Sequence, residues 1–288
     1  MGDTAGTPRT RALASALRRA RIARNFGVRE VARRLQMSHA TISQWENGKR
    51  VPHPDDVASM LAVIGVTGKR RGEILDLSRN AAQRNWLTTG VPGIAQQLEA
   101  LLECERTATE VIECAPLLVP GLLQTADYAR AIIGADATLS RAEIDARVEL
   151  RIDRRKILTE DRDDRPPVDY TVFVGEWALR QRVGGSDVLA EQCRQLLKAA
   201  ALPAITLQVV RIADGWHPGL QGPVVLYNFA EAPSIVHLEH HRSSAFLYDD
   251  PDVTAYKLAV PEIRRAAMDP DDSAAYITQM MSGLEKQE

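Results

Sequence analysis

Five small or polar residues within one short segment have side chains that suit contacts with the edges of nucleobases. They are His39, Ala40, Thr41, Ser43 and Gln44. An amide or an imidazole can exchange hydrogen bonds with a base edge, and the methyl groups of alanine and threonine can contact the methyl of thymine. Contacts of this kind require a rigid element that carries the side chains into a groove of the duplex.

Basic residues flank this segment on both sides. Arg29 precedes it, and Lys49 and Arg50 follow it. Guanidinium and ammonium groups bind phosphate oxygens, and such contacts position a protein on a duplex without specifying its sequence. We therefore expect these three side chains to contact phosphates and the five side chains between them to contact bases.

The segment Val28–Arg50 has the pattern of two short helices joined by a tight turn. Ser38 is a favourable N-cap, because a serine hydroxyl can accept a backbone N–H of the first helical turn. Ile42 and Trp45 recur at helical spacing and predict a buried face, while Gly48 favours the end of the helix. This layout predicts a helix-turn-helix, whose second helix lies in the major groove of DNA.

Helical patterns before and after this motif predict a complete all-α domain of five helices over residues 10–80. A linker is expected over residues 81–93, where turn-forming residues cluster. From residue 94 to residue 285, amphipathic helices accompany β-branched runs, beginning with a helix over residues 94–113. Because short Gly/Pro turns join several of the runs, we expect an α+β domain with a mainly antiparallel sheet.

The net charge of −2 conceals an uneven distribution along the chain. The first 80 residues hold 15 basic and 7 acidic residues, whereas the remainder holds 21 basic and 31 acidic residues. A basic first domain is the electrostatic signature of a protein that binds a polyanion. A general richness in surface arginine would account for the number of arginines, but it would not account for this separation.

Composition and motifs also bear on other classes of protein. The three cysteines lack CxxC spacing, which argues against a disulfide framework or a zinc finger and favours a reducing cytoplasm. No apolar run is long enough to span a bilayer, and the first residues lack the pattern of a secretory signal. Since the common nucleophile and phosphate-binding motifs are also missing, we expect a cytoplasmic protein without catalytic residues or a cofactor.

A separate group of residues has the chemistry of metal ligands. On a strand, His237, Glu239 and His241 would share one face, and such side chains can bind a metal ion. The alternative is the exposed end of a strand with ordinary polar residues. Because no further ligand cluster accompanies the three residues, we expect no metal site.

The segment Ser38–Lys49 resembles the recognition helix and the following loop of the Xre family of lambda-repressor-like DNA-binding domains. The resemblance covers residues 10–80 and implies a homodimer that binds two half-sites of double-stranded DNA. Many members open the second helix with a glutamine that braces the recognition helix and a phosphate. This chain has Val28 at that position, so the resemblance implies no such brace here.

Three later segments resemble the effector domain of WhiJ-like regulators of actinomycetes, also described as antitoxin-like. They are Ala115–Arg130, Val183–Ser186 and Gly215–Leu220. The resemblance runs over residues 90–285 and implies a small partner protein, often encoded by the adjacent gene. Where the family commonly has an acidic pair, this chain has Gly175 followed by Glu176.

Together these observations favour a sequence-specific transcriptional regulator whose C-terminal domain binds a partner protein or an effector. One alternative is an antitoxin-like interaction module for which DNA binding is incidental. Another is a small-molecule sensor, with an effector pocket near Tyr170, Trp216 and His217. The three hypotheses are compatible, because ligand binding at one site can alter affinity at another.

Overall fold

The computed structural model describes residues 7–81, 86–89, 91–161, 166–212, 215–241 and 243–285, without the side chains of 87–89, 91–96 and 285. The α-helices are α1 (Pro8–Ala23), α2 (Val28–Arg34), α3 (His39–Glu46), α4 (Pro54–Val63), α5 (Gly68–Arg79), α6 (Val91–Thr107), α7 (Ala126–Ile133), α8 (Arg141–Asp153), α9 (Glu176–Arg180), α10 (Ser186–Ala200), α11 (Asp250–Ala266) and α12 (Pro270–Glu285). The strands are β1 (Trp86–Thr89), β2 (Glu110–Ala115), β3 (Asp169–Gly175), β4 (Ile205–Val210), β5 (Val224–Asn228), β6 (Ile235–His240) and β7 (Ser243–Leu247).

Contacts between residues divide the chain into two units. The N-terminal unit comprises Met1–Thr107 together with Asn228–Val253, and the C-terminal unit comprises Ala108–Tyr227 together with Thr254–Glu288. The later segment of the N-terminal unit contains β6 and β7. The domain boundaries inferred from sequence, at residues 80, 93 and 285, stay a prediction. None of the described helices has the length and apolar character that crossing a membrane requires.

The five predicted helices of the first 80 residues are confirmed as α1 to α5. Local sequence explains where they begin. Thr7 caps α1 by accepting the backbone N–H of Thr10, and Pro8 follows at the first helical position, where a missing N–H costs nothing. Gln36 adopts a left-handed backbone with φ of +55° in the turn between α2 and α3. This conformation lets the chain reverse within a few residues.

The N-terminal unit also contains a helix and a small sheet that complete its core. β1, β7 and β6 form an antiparallel sheet in that order. Helix α6 packs on α1 and α5, where Glu99 forms ion pairs of 3.0 Å with both Arg19 and Arg70. The side-chain amide of Gln97, buried on the same helix, donates to the carbonyl oxygen of Trp86 at 2.8 Å. A buried polar group thus ties α6 to the sheet.

The C-terminal unit is built on β2, β3 and β4, which run parallel. β5 lies on the outer side of β2, giving the order β5-β2-β3-β4 within this unit. Most residues of β3 and β4 are buried, as expected for parallel strands that are covered on both faces. Helix α11 covers one face, where Ile263 packs in a core cluster with Cys114, Phe173 and Val210.

The predicted α+β class is confirmed, and two local features differ from the sequence-based prediction. The helix expected over residues 94–113 ends at Thr107, and Glu110–Ala115 forms β2. Val111 and Ile112 are β-branched and favour a strand, but their spacing continued the preceding helical pattern. Strand β1 lies within the expected linker, where its pairing with the distant β7 leaves no local signal.

Candidate nucleic-acid interface

The recognition helix of the helix-turn-helix is α3, and its sequence fixes both ends. The hydroxyl of Ser38 accepts the backbone N–H of Thr41 at 3.1 Å, which confirms the predicted N-cap. At the other end Gly48 has φ of +67°, a conformation that glycine adopts without steric cost. A Cβ at Gly48 would lie 3.8 Å from the Cβ of Ala14 on α1, so the end of α3 lies beside α1.

One face of α3 is buried and anchors the helix. Ile42 is fully buried and Trp45 is 2% exposed. They pack within the same unit as Val31 and Ala32 of α2, which are also buried. Because these apolar side chains occupy one face of a helix with 3.6 residues per turn, the opposite face projects outward.

The five predicted base-contacting residues differ in how available their side chains are. His39, Ala40 and Gln44 are exposed, whereas Thr41 and Ser43 are partly buried. The hydroxyl of Thr41 is hydrogen-bonded to that of Ser38 at 2.9 Å.

The hydroxyl of Ser43 is also engaged, because it accepts from the side-chain amide of Asn47 at 3.2 Å. Within the described part of the chain, no such bond holds the side chain of His39 or Gln44. The geometry therefore leaves the imidazole and the amide of these two residues free to bind an external group.

An ion pair that the sequence pattern did not predict braces the C-terminal end of α3. The guanidinium of Arg21 on α1 donates from Nε and Nη2 to the two carboxylate oxygens of Glu46, each at 2.7 Å. Its third nitrogen donates to the carbonyl oxygen of Phe26 at 2.8 Å. These hydrogen bonds raise the pKa of Arg21 above its usual value. Two side chains from different helices thus fix α3 against α1 and the turn before α2.

The predicted phosphate-binding residues lie on exposed positions around α3. Arg29 is in the first turn of α2, and Arg50 follows the glycine that ends α3. Neither has an ion-pair partner among the described residues. The ammonium of Lys49 lies 3.6 Å from a carboxylate oxygen of Glu231, and both side chains are largely exposed. Ion pairs between exposed groups contribute little free energy, so this carboxylate would yield readily to a phosphate.

The three residues of the hypothetical effector pocket do not lie together. Tyr170 is buried on β3, where its hydroxyl donates to a carboxylate oxygen of Glu113 at 2.5 Å. Side chains alternate between the faces of a strand, so Tyr170 faces away from Phe173, three residues later. Phe173 packs on the same face as Cys114.

His217 belongs to that other face. It is buried beside Gly219, where a Cβ would lie 2.6 Å from the sulfur of Cys114 and 3.0 Å from His217 Nδ1. Trp216, its neighbour in sequence, is 71% exposed. The sheet therefore separates Tyr170 from His217, and the three side chains do not line one pocket.

The histidine-rich end of β6 has a structural explanation. His237 is buried, its Nε2 lies 2.7 Å from the hydroxyl of Ser244, and its ring stacks on Phe246 with centroids 4.5 Å apart. Glu239 and His241 are exposed. Among the described residues, no group of three or more potential ligands is arranged to hold a metal ion.

The three cysteines are buried free thiols. Burial raises the pKa of Cys104 and Cys114 to about 12 and that of Cys193 to about 11. Since the thiolate is the reactive form, these thiols are protonated and weakly nucleophilic at neutral pH. They act as small apolar side chains in the core.

Comparisons with known proteins identify two regions of the chain. Residues 12–74 match a family described as a helix-turn-helix domain, and residues 98–279 match a family described as a domain of unknown function, DUF5753. No curated protein matches the chain.

Among solved structures, the chain is similar to one reported as "Structure of TrmBL2, an archaeal chromatin protein, shows a novel mode of DNA binding", at 12% identity and a TM-score of 0.31. The alignment covers 75% of this chain and 65% of that one, which is less than two thirds of its length.

Proposed function

The chain belongs to the family described as a domain of unknown function, DUF5753, and we propose that it is a sequence-specific DNA-binding transcriptional regulator. The proposal rests on α3, which combines a buried anchoring face with an outer face that carries His39 and Gln44. Side chains of these types can discriminate between base pairs in the major groove, where each base pair presents its own pattern of donors and acceptors.

The basic residues around α3 support a role in phosphate binding. In this proposal Arg29 and Arg50 contact the DNA backbone directly, and Lys49 does so after leaving Glu231. The excess of basic residues over the first 80 positions adds a long-range attraction for DNA. Thr41 and Ser43 contribute to base recognition through their remaining surface, because their hydroxyls already form hydrogen bonds within the helix.

We propose further that the regulator binds DNA as a homodimer. Helix-turn-helix proteins commonly place two recognition helices in successive major grooves, roughly 34 Å apart. A single short helix contacts few base pairs, so a second copy supplies the additional specificity. The resemblance to lambda-repressor-like domains supports this arrangement.

The C-terminal part is proposed to bind a small partner protein, with the product of the adjacent gene as the first candidate. The resemblance of Ala115–Arg130 and Gly215–Leu220 to WhiJ-like regulators supports this role. A partner that binds the regulator more tightly when it is free, or more tightly when it is on DNA, would change its affinity for the operator by the same factor. This would make the protein a regulator that responds to another polypeptide.

An electrophoretic mobility-shift experiment tests the DNA-binding proposal. The full chain is titrated onto the DNA upstream of its own coding sequence, and onto a shuffled fragment of the same composition, at several salt concentrations. We expect retardation of the natural fragment at lower protein concentration, with log K falling in proportion to log salt as counterions are released. Absence of retardation at low salt, on this fragment and on DNA selected from a random library, would contradict the proposal.

A further inference from the structure

Large apolar side chains are exposed around one end of the parallel sheet in the C-terminal unit. They are Leu117, Trp177, Ile212, Trp216 and Leu220, with exposures between 47% and 71%. Leu117 follows the carboxyl end of β2, Trp177 follows that of β3, and the other three follow that of β4. We call these five residues the carboxyl-end surface.

Hydrogen bonds bring the segments that carry these side chains together. The side-chain amide of Gln181 donates to the carbonyl oxygen of Leu117 at 3.3 Å. The backbone N–H of Ile212 donates to a carboxylate oxygen of Glu176, the neighbour of Trp177, at 3.0 Å. Near the third segment, the thiol of Cys114 lies 3.8 Å from the carbonyl oxygen of Gly219, which precedes Leu220. The segments after β2, β3 and β4 therefore adjoin one another.

Exposure of this kind is costly unless another molecule covers the surface. Contiguous exposed apolar patches mark binding sites, and the region beyond the carboxyl ends of parallel strands is where such sheets bind ligands. Tryptophan is also among the residues that contribute most to protein–protein affinity. Two tryptophans and three aliphatic side chains in one place thus favour a polypeptide partner.

The charges around the surface indicate the character of that partner. Arg180, Arg182 and Arg211 are exposed in the same segments. The one acid among the described residues of 116–125, 175–185 and 211–222 is Glu176, which is 6% exposed and hydrogen-bonded to Arg180. Basic residues therefore surround the apolar side chains, in a part of the sequence that is acidic as a whole.

We propose that the carboxyl-end surface binds an acidic segment of another polypeptide that carries large apolar side chains. The apolar side chains of that segment cover the tryptophans and leucines, and its carboxylates pair with the surrounding arginines. This inference rests on the proposed role of the C-terminal part in binding a partner, and it assigns that role to particular residues.

Selection from a library of short random peptides, displayed on phage and bound to the full-length protein, tests the surface. Selected peptides are expected to combine large apolar residues with a negative net charge. A synthetic labelled peptide of the selected sequence is then titrated by fluorescence polarisation. The double variant Trp216→Asp, Leu220→Asp should weaken its binding by at least about tenfold. Arg211→Glu should weaken it most at low salt.

Controls distinguish this inference from its alternatives. Leu258→Asp changes a leucine of α11 that is 68% exposed, and Arg265→Glu changes an exposed arginine of the same helix. Both variants should bind the peptide as the wild type does. All variants are also tested for DNA retardation, so that failure of the surface proposal is separate from failure of the proposed regulator.

Three outcomes would overturn the inference. One is a selection that enriches no acidic, apolar sequence. The second is equal binding of the selected peptide to the wild type and to the variant with Trp216 and Leu220 changed. The third is a wild-type dimer, measured by light scattering, that the same variant dissociates. That result would assign the surface to a second copy of this chain.

Discussion

The guanidinium of Arg21 and the carboxylate of Glu46 meet through two hydrogen bonds of 2.7 Å, in the parallel geometry that arginine and carboxylates prefer. Both side chains are largely buried, with exposures of 12% and 5%. Arg21 also donates to the carbonyl oxygen of Phe26. The pair therefore joins α1, the turn before α2 and the end of α3, and it fixes the direction in which the recognition helix projects.

Replacing Glu46 with alanine should lower the free energy of unfolding of the N-terminal unit by about 3–5 kcal/mol, because Arg21 would stay buried without its partner. Chemical denaturation measures the change. The double variant Arg21→Met, Glu46→Met should recover much of the loss, since it leaves no unpaired charge. Glu30→Ala is the control, because the Glu30–Arg34 pair is exposed. A loss for Glu46→Ala no larger than for this control would contradict the prediction.

Replacing Gln44 with alanine should weaken binding to the preferred DNA site by about 1–3 kcal/mol, because a pair of hydrogen bonds to a base edge is lost. Binding to shuffled DNA should not change. Ser43→Ala should have the smaller effect, since the hydroxyl of Ser43 already accepts from Asn47. Quantitative mobility-shift titrations measure both. An equal loss on the preferred and the shuffled DNA would assign Gln44 to the backbone and not to bases.

Replacing Arg29 and Arg50 with alanine should weaken binding to every DNA sequence alike. Each lost phosphate contact should reduce the slope of log K against log salt by about 0.9. Lys69→Ala on α5 serves as the control, because it removes an exposed cation outside the helix-turn-helix pair. A slope that stays at the wild-type value in the Arg29→Ala, Arg50→Ala variant would show that these residues do not contact phosphates.

Local signals predicted the N-terminal helices well, since a cap, a turn and an apolar spacing each lie within a few residues. Ser38 and Gly48 mark the ends of α3 for this reason. The pairing of Arg21 with Glu46 was missed, because it joins positions 25 residues apart on different helices. Glu46 by itself has the pattern of a helix end, and a search for opposite charges on the inner faces of neighbouring helices would have suggested its partner.

The C-terminal part depends more on contacts between distant residues, and less of it was predicted. Strand β2 pairs with β3, some 60 residues later, and that pairing decides against the helix that its spacing favours. The same register places Tyr170 and His217 on different faces of the sheet, which the sequence order alone does not indicate. The exposed Trp216 was predicted as part of a pocket, although its surroundings follow from the parallel strands.

Replacing Gly175 with alanine should destabilise the C-terminal unit by about 3 kcal/mol or more. The new Cβ would lie 2.2 Å from the carbonyl oxygen of Pro116 and 2.7 Å from its Cα, and both are backbone atoms that cannot rotate away. Gly72→Ala is the control, because nothing lies within 4 Å of its Cβ position in α5. Calorimetry should show a lower melting temperature for Gly175→Ala alone, and unchanged melting would contradict the close approach of β2 and β3.

Replacing Glu176 with glutamine should remove a part of the protein's sensitivity to acid. Burial raises the pKa of Glu176, but hydrogen bonds from Tyr276, from the backbone N–H of Ile212 and from Arg180 outweigh it, so the pKa lies below its usual 4.5. A carboxyl with a lowered pKa in the folded state stabilises the fold above its unfolded pKa, and this contribution is lost as the pH falls through the folded value.

The wild type should therefore lose free energy of unfolding between about pH 5 and its acid limit, where Glu176→Gln should lose less. At neutral pH the variant should be less stable by about 1–3 kcal/mol, because the charge-assisted hydrogen bonds are weakened. Glu191→Gln is the control, since Glu191 forms an exposed ion pair with Arg194 on α10. Denaturation curves measured at a series of pH values provide the comparison, and parallel curves for the wild type and Glu176→Gln would contradict the prediction.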